Sequence, residues 1–114
     1  MTIKDLQAKV AKFQTDRDWR QFHTPKDLVL SLMAEVAEIG DHFKWKQSKE
    51  LEKYLKTNKS EVADELADVF HNVLLMAEEL KIDLEKAFLK KLAETEAKYP
   101  VDKVKGINKK YNEI

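Results

Sequence analysis

Four carboxylates recur at the same spacing in two segments of the chain that have helical periodicity. The segment MAEVAEIGDHF carries Glu35 and Glu38, and the segment DELADV carries Glu65 and Asp68. At about 100° per residue, side chains three apart lie on the same side of a helix. Each segment therefore predicts a carboxylate stripe that runs along the edge of an apolar helix face.

The apolar residues beside each stripe form a ridge that predicts helix packing. On the first helix Ser31 and His42 extend the stripe, and on the second helix Glu61 and Asn72 extend it. If the ridges pack against each other in an antiparallel pair, the two stripes converge on one side. The ridges comprise Leu28, Leu32, Val36, Ile39 and Phe43 on the first helix and Val62, Leu66, Val69, Val73, Met76 and Leu80 on the second.

Four carboxylates at close quarters repel each other and raise each other's pKa, and a divalent cation removes that repulsion. The chain has no cysteine, so a metal site would use oxygen ligands or the three histidines. This ligand chemistry favours Mg²⁺, with Mn²⁺ as the alternative, over Zn²⁺.

Two other interpretations of the acids stay open from the pattern alone. Acids that flank an apolar ridge are often solvated surface charge, and Lys44, Lys46 or Lys59 could neutralise them. A di-iron bundle would require Glu-x-x-His on two helices. The nearest match is Asp68-x-x-His71, and on a helical wheel His71 points almost opposite the ridge.

Length and composition limit the other functions to consider. The 114 residues suffice for a single domain, residues 1–114, and few glycines and prolines favour long helices. The 21 basic residues balance the 21 acidic ones, which disfavours a nucleic-acid binder, including one that uses the lysines of the C-terminal tail. No apolar run approaches the roughly 20 residues of a membrane span, and the start MTIKDLQAKV lacks a signal-peptide core. We therefore expect a cytoplasmic protein without membrane association.

Capping and breaking signals predict an all-α fold, a four-helix bundle. Thr24 before a proline, Asn58 and Asp83 are predicted N-caps, and Pro100 ends the last long helix. Residues 101–114 form a polar C-terminal tail that we expect to be extended or mobile. The predicted helices cover about 2–19, 24–43, 58–80 and 83–98, with a short helix near 48–55.

The acid pairs and the segments around them resemble the MazG-like all-α nucleoside triphosphate pyrophosphohydrolases. That family's signature is E-x-x-E on one helix and E-x-x-D on the next. DRDWRQFHTPKDL (16–28) is similar to the segment before the first motif in the dCTP pyrophosphatase branch, and FKWK (43–46) also matches. KLAETEAKYPV (91–101) and KGINKKY (105–111) resemble the family's C-terminal stretch, so the resemblance covers nearly the whole chain.

The resemblance implies an enzyme that hydrolyses (d)NTPs between the α- and β-phosphates, with a role in dNTP house-cleaning. Glu35, Glu38, Glu65 and Asp68 would hold Mg²⁺, and Glu38 would also orient or deprotonate the attacking water. The alternative is a non-catalytic helical module with an interaction or regulatory role.

The resemblance also implies a set of residues that contact the nucleotide. Trp19, His23 and Trp45 match the positions that recognise the base, where a tryptophan face stacks on it. Packing against the bundle core is the other interpretation of Trp19 and Trp45.

Further positions match residues that reach the phosphates or differ from the usual family residue. Lys91, Lys98 and Tyr99 match phosphate-contacting positions, although lysines near a helix C-terminus are usually solvated. Asn72 and Thr95 differ from the residues that relatives commonly carry at or near the site. The preferred base and sugar therefore stay open, with a pyrimidine such as dCTP as the first expectation.

Apolar residues outside the ridges predict self-association. On the second helix Phe70, Leu74 and Leu75 flank or oppose the ridge, and on the first helix Leu30 does so. A helix that is apolar on more than one face must bury both faces. We therefore expect a homo-oligomer, and the resemblance favours a homotetramer built as a dimer of dimers.

Overall fold

The computed structural model describes all 114 residues, and every regular element in it is helical. This confirms the predicted all-α class. None of the helices combines the length and the apolar character that a membrane span requires. The helices are α1 (Ile3–Asp16), α2 (Pro25–Phe43), α3 (Ser48–Thr57), α4 (Lys59–Glu79), α5 (Leu84–Lys98) and α6 (Val101–Val104).

Side-chain caps determine where α2 and α5 begin. The Thr24 hydroxyl accepts a hydrogen bond from the backbone N–H of Asp27 at 3.2 Å, and Pro25 occupies the first helical position. Asp83 accepts from the backbone N–H of Lys86 at 3.1 Å. Each cap satisfies one of the N–H groups that a helix start leaves unpaired. Both starts agree with the sequence prediction.

The first helix is shorter than predicted. It ends at Asp16 rather than near Trp19, because Asp18 adopts a left-handed backbone conformation with φ 53°. The backbone N–H of Trp19 then donates to the carbonyl of Gln14 at 3.0 Å, which closes the helix end. A 3₁₀ turn, Arg20–Phe22, follows before α2.

The predicted cap of α4 by Asn58 is wrong. The Asn58 side chain makes no capping hydrogen bond to α4. Its backbone N–H and its side-chain amide donate instead to the carbonyl of Tyr54, at 2.8 and 2.9 Å. Asn58 therefore closes α3, which extends to Thr57 and leaves no loop before α4.

The chain divides into two compact units, Met1–Ile82 and Asp83–Ile114. In the second unit the C-terminal segment predicted to be extended contains α6 and a 3₁₀ turn, Tyr111–Glu113. The ring of Tyr111 meets the ring of Tyr99 edge-on, with centroids 6.3 Å apart. Organisation as one domain stays a prediction.

In the first unit α2 packs along α4. His42, at the end of α2, lies beside Glu65 in the first half of α4. Ser31, nearer the start of α2, lies beside Asn72 further along α4. The later residue on α2 therefore lies beside the earlier residue on α4, so the two helices are antiparallel.

The first helix packs against the C-terminal half of α4. The side-chain amide of Gln7 donates to the carbonyl of Ile82 at 3.0 Å and lies 3.4 Å from a carboxylate oxygen of Glu78. The ring of Phe13 meets the ring of His71 edge-on, with centroids 5.9 Å apart. The C-terminal half of α4 therefore has α1 as a neighbour in addition to α2.

Burial on α4 differs from the predicted ridge. Leu74, Leu75 and Ala77 are buried, although Leu74 and Leu75 lie off that ridge. Leu66 belongs to the ridge but is 55% exposed, and Val36 on the α2 ridge is half-exposed. The reason is that neighbouring helices decide which side of a helix is covered, and α1 covers only the second half of α4.

Candidate metal centre

Three carboxylates from two helices come together in the first unit. Glu35, Glu38 and Glu65 each offer one carboxylate oxygen, and these oxygens lie within 4.8 Å of one another. The antiparallel pairing places the middle of α2 against the first half of α4. Residues far apart in sequence thus form one acidic cluster, which we call the triad of acids.

Two oxygens of the triad of acids are buried without a hydrogen-bond partner. They are one carboxylate oxygen of Glu35 (Oε2) and one of Glu65 (Oε2). A buried acceptor without a hydrogen-bond partner is unfavourable for folding. The arrangement is therefore unfavourable for the protein alone, and a cation that contacts both oxygens would relieve it.

The surroundings raise the pKa of two of the carboxyl groups. Burial raises the pKa of Glu35, and the nearby charges of Glu38 and Asp68 raise it further. A hydrogen bond to Glu38 raises the pKa of Glu65, burial and the charges of Glu38 and Asp68 add to this, and His42 opposes it. Both directions are those expected where like charges converge without a counter-ion.

Asp68, the fourth predicted ligand, lies beside the triad of acids rather than within it. It is exposed on α4, close to one helical turn after Glu65. Its charge nevertheless acts on Glu35 and Glu65. Its role as a fourth ligand stays a prediction.

Lysines do not neutralise the triad of acids. Neither Lys44, Lys46 nor Lys59 forms an ion pair with these acids, and the ammonium of Lys46 lies over the ring of Tyr54, 4.2 Å from its centroid. The donor set is made of carboxylate oxygens, two of them unpartnered. These residues fit a hard divalent cation such as Mg²⁺ or Mn²⁺.

A histidine and a tyrosine beside the triad of acids were not among the predicted site residues. An imidazole nitrogen of His42 (Nε2) lies 3.9 Å from a carboxylate oxygen of Glu65 (Oε1). The other nitrogen, Nδ1, is 2.7 Å from the hydroxyl of Tyr54 on α3. The sequence did carry a signal for His42, because it follows Glu38 by four residues on the same stripe.

The predicted base-recognition residues have accessible or unsatisfied groups. Trp45 is 88% exposed, so packing against the core does not explain it in this chain. Trp19 is 44% exposed and meets the ring of Phe13 edge-on at 5.7 Å. The Nδ1 atom of His23 is buried without a hydrogen-bond partner. The two tryptophans are accessible to a ligand, and the role of all three residues stays a prediction.

Asn72 lies next to the acidic stripe. Its side-chain amide donates to the carbonyl of Asp68 at 3.2 Å, and its side-chain oxygen is 3.5 Å from the hydroxyl of Ser31. Asn72 therefore connects α2 and α4 at one end of the stripe. This position is compatible with the predicted contact to the nucleotide.

The remaining predicted residues lie on or next to α5 in the second unit. Thr95 donates its hydroxyl to the carbonyl of Lys91 at 2.9 Å. The ammonium of Lys98 lies 4.8 Å from the centroid of the Tyr111 ring, and Tyr99 follows Lys98 at the helix end. These contacts are local to that unit, and phosphate binding by these side chains stays a prediction.

Comparisons with known proteins agree with this architecture. The model of the MazG-like family matches residues 30–114, which include the triad of acids and Asp68. The proteins named dCTP pyrophosphatase 1 of Bos taurus and Homo sapiens are each 31% identical over 115 residues, covering 99% of this chain and 68% of theirs. A crystal structure of a pyrophosphatase from Archaeoglobus fulgidus superposes with a TM-score of 0.77 and 35% identity, covering 85% of this chain and 91% of that one.

Proposed function

The chain belongs to the MazG-like family, and on this basis we propose that it hydrolyses nucleoside triphosphates between the α- and β-phosphates. The products are the nucleoside monophosphate and pyrophosphate. The observation that carries the proposal is the triad of acids, Glu35, Glu38 and Glu65, with its two unpartnered buried oxygens. The carboxylates and the triphosphate are both negatively charged, so they can lie close together only if a cation lies between them.

In this proposal Glu35, Glu38, Glu65 and Asp68 hold Mg²⁺, with Mn²⁺ as the alternative. The bound cation neutralises phosphate charge and makes water a better nucleophile. Glu35 and Glu65 are partly buried on facing helices, so they hold their positions while the nucleotide exchanges. Glu38 is the exposed member of the triad of acids, and we assign it to orienting the attacking water and accepting its proton.

The base is recognised by Trp19, His23 and Trp45. The exposed face of Trp45 offers a stacking surface, and His23, whose Nδ1 is buried without a partner, is assigned to the base edge by its match to the family pattern. Because the curated relatives are named dCTP pyrophosphatases, dCTP is the proposed first substrate. Removal of unwanted dNTPs from the cytoplasmic pool is the proposed role.

The phosphates are contacted by Lys91, Lys98 and Tyr99, whose side chains supply positive charge and a hydroxyl donor. Asn72 and Thr95 are proposed to influence which sugar and base are accepted. Support for these five assignments is the match of their segments to the family pattern.

A product analysis tests the proposed reaction. The protein is incubated with each of the four dNTPs and Mg²⁺, and products are separated by anion-exchange chromatography. We expect dNMP and pyrophosphate in equal amounts, not dNDP and phosphate, with the fastest turnover for dCTP. EDTA and Glu38→Gln should each abolish turnover.

Asp41→Asn is the matched control, because Asp41 is an exposed acid on α2 outside the triad of acids. It should retain wild-type turnover. If no nucleoside triphosphate is hydrolysed, the reaction is wrong and a non-catalytic helical module becomes the better interpretation.

We propose that the protein is a homotetramer, a dimer of dimers. On α2, Val29, Met33 and Val36 follow one another at helical spacing and all are exposed, Met33 by 63%. On α4, Leu66 and Phe70 are four residues apart and both side chains are also exposed. A run of exposed apolar side chains on two packed helices is typical of a protein interface.

Light scattering coupled to size exclusion tests this assembly at micromolar concentration. We expect a tetrameric mass for the wild type and a smaller mass for Met33→Glu, with unchanged helical content by circular dichroism. A monomeric wild type would overturn the proposal.

A further inference from the structure

The short helix α3 places a tyrosine where it can hold the imidazole of His42. Tyr54 is half-buried, and its backbone carbonyl accepts two hydrogen bonds from Asn58, at 2.8 and 2.9 Å. The ammonium of Lys46 lies over its ring. The tyrosine is thus fixed on both its backbone and its ring side, and its hydroxyl lies 2.7 Å from Nδ1 of His42.

The second nitrogen of His42 faces the triad of acids. The 2.7 Å contact allows the Tyr54 hydroxyl to donate to Nδ1, and in that tautomer the neutral ring carries its hydrogen on Nε2. That nitrogen lies 3.9 Å from Oε1 of Glu65, and both side chains are largely shielded from solvent. This distance is longer than a direct hydrogen bond. His42 therefore acts on Glu65 through the position of the ring and the polarity of its N–H group.

The two oxygens of Glu65 have different surroundings. Oε1 is the oxygen that His42 approaches, whereas Oε2 is buried without a partner. An N–H group beside one oxygen limits rotation of the carboxylate and leaves the other oxygen free for a cation. Partners of this kind orient metal-binding carboxylates in proteins generally.

We propose that His42, held by Tyr54, is a positioning residue that orients the Glu65 carboxylate for the divalent cation. The inference rests on the proposed metal-dependent function. It gives α3 a purpose beyond connecting α2 and α4, because α3 carries the tyrosine that fixes the histidine.

Calorimetric titration of the cation-free protein with Mn²⁺ tests the proposal without requiring turnover. His42→Leu replaces the imidazole with an apolar side chain of similar size that has no nitrogen. We expect the Mn²⁺ affinity of this variant to fall about tenfold. His42→Gln keeps an N–H donor at the reach of Nε2 and should stay within about threefold of the wild type. Tyr54→Phe removes only the hydroxyl and should weaken Mn²⁺ binding about fivefold.

Turnover adds a second readout that a purely structural residue would not change. In His42→Leu the Mg²⁺ concentration for half-maximal turnover should rise about tenfold, while kcat at saturating Mg²⁺ returns to near the wild-type value. His71→Leu is the control, since His71 is a half-buried histidine on α4 whose ring packs against Phe13. Its Mn²⁺ affinity should match the wild type.

Three outcomes would overturn the positioning role of His42. Unchanged Mn²⁺ affinity in both His42→Leu and Tyr54→Phe overturns the positioning role and leaves the proposed reaction intact. Equal losses in His42→Leu and His42→Gln, matched by equal drops in the melting temperature without cation, show a structural role and also overturn it. A wild-type protein that binds no Mn²⁺ overturns the proposed metal site and this inference together.

Discussion

The two halves of α4 have opposite properties. In the N-terminal half the acid Glu65 is partly buried with an unpartnered oxygen, and the apolar Leu66 beside it is 55% exposed. In the C-terminal half Leu75 is 3% exposed, and the acid Glu78 has the amide of Gln7 beside it. The difference follows from α1, which packs against the C-terminal half and leaves the other half to the acids.

This division separates stability from the proposed chemistry on one helix. The covered half buries Leu74, Leu75 and Ala77. The other half holds like charges together and leaves apolar residues in solvent, both of which are unfavourable for an isolated chain. Under the proposed function and assembly, a cation and a second copy of the chain would stabilise the N-terminal half.

The largest expected effect is a loss of folding stability when one leucine in the C-terminal half of α4 is truncated. The matched truncation in the N-terminal half should have a much smaller effect. Leu75→Ala should lower the free energy of unfolding by about 2–5 kcal/mol, because a buried leucine leaves a cavity. Leu66→Ala should lower it by less than about 1 kcal/mol in the monomer, since little buried surface is lost. Urea unfolding followed by circular dichroism, at a concentration where the chain is monomeric, measures both. Equal losses would remove the distinction between the halves.

Next in size is the effect of neutralising one acid in each half. Glu65→Gln should reduce kcat/KM by at least about 100-fold, which corresponds to about 3 kcal/mol of transition-state stabilisation. Glu78→Gln should leave kcat/KM within about twofold, because Glu78 lies outside the triad of acids. Steady-state pyrophosphate release with dCTP is the measurement. A strong loss in Glu78→Gln would show that the catalytic function is not confined to the N-terminal half.

A smaller effect is expected from the contact that ties α1 to the end of α4. Gln7→Ala removes the donor to the carbonyl of Ile82 and should lower the free energy of unfolding by about 1–3 kcal/mol. Gln21→Ala, an exposed residue with local hydrogen bonds only, is the control and should change it by less than about 0.5 kcal/mol. Thermal unfolding in excess EDTA compares the two. A stable Gln7→Ala variant would mean that α1 does not need this contact to cover α4.

The smallest effect concerns pH and the cation-free protein. Glu35 has a raised pKa when folded, so the folded state binds more protons than the unfolded state from about pH 4.5 up to that raised pKa. Stability therefore falls as pH rises through this range. Glu38 and Asp68 are the charges responsible after burial, and His42 also faces the cluster. Glu35→Gln should therefore raise the melting temperature in EDTA at pH 7 and leave it unchanged at pH 4.

Saturating Mn²⁺ reverses that comparison. The wild type should gain more stability from the cation than Glu35→Gln, because the variant has lost a ligand. Thermal unfolding with and without Mn²⁺ at pH 7 measures this gain. A variant that is less stable than the wild type in EDTA at pH 7 would contradict the unfavourable charge cluster.

Local signals in the sequence predict the starts of α2 and α5 and the acid stripes of this protein. Local signals suffice for these features, because Thr24 and Asp83 cap their helices through neighbouring backbone groups and three-residue spacing places acids on one side of a helix. The family signature on Glu35, Glu38 and Glu65 is local in the same sense.

Which parts of those helices are covered depends on how the helices pack. Burial of Leu75 rather than Leu66 depends on where α1 lies, and helical periodicity contains no information about that neighbour. The contacts of His42 with Tyr54 on one side and Glu65 on the other also require three helices to meet. Contacts between distant segments arise from packing, so the arrangement around the acids became visible only in three dimensions.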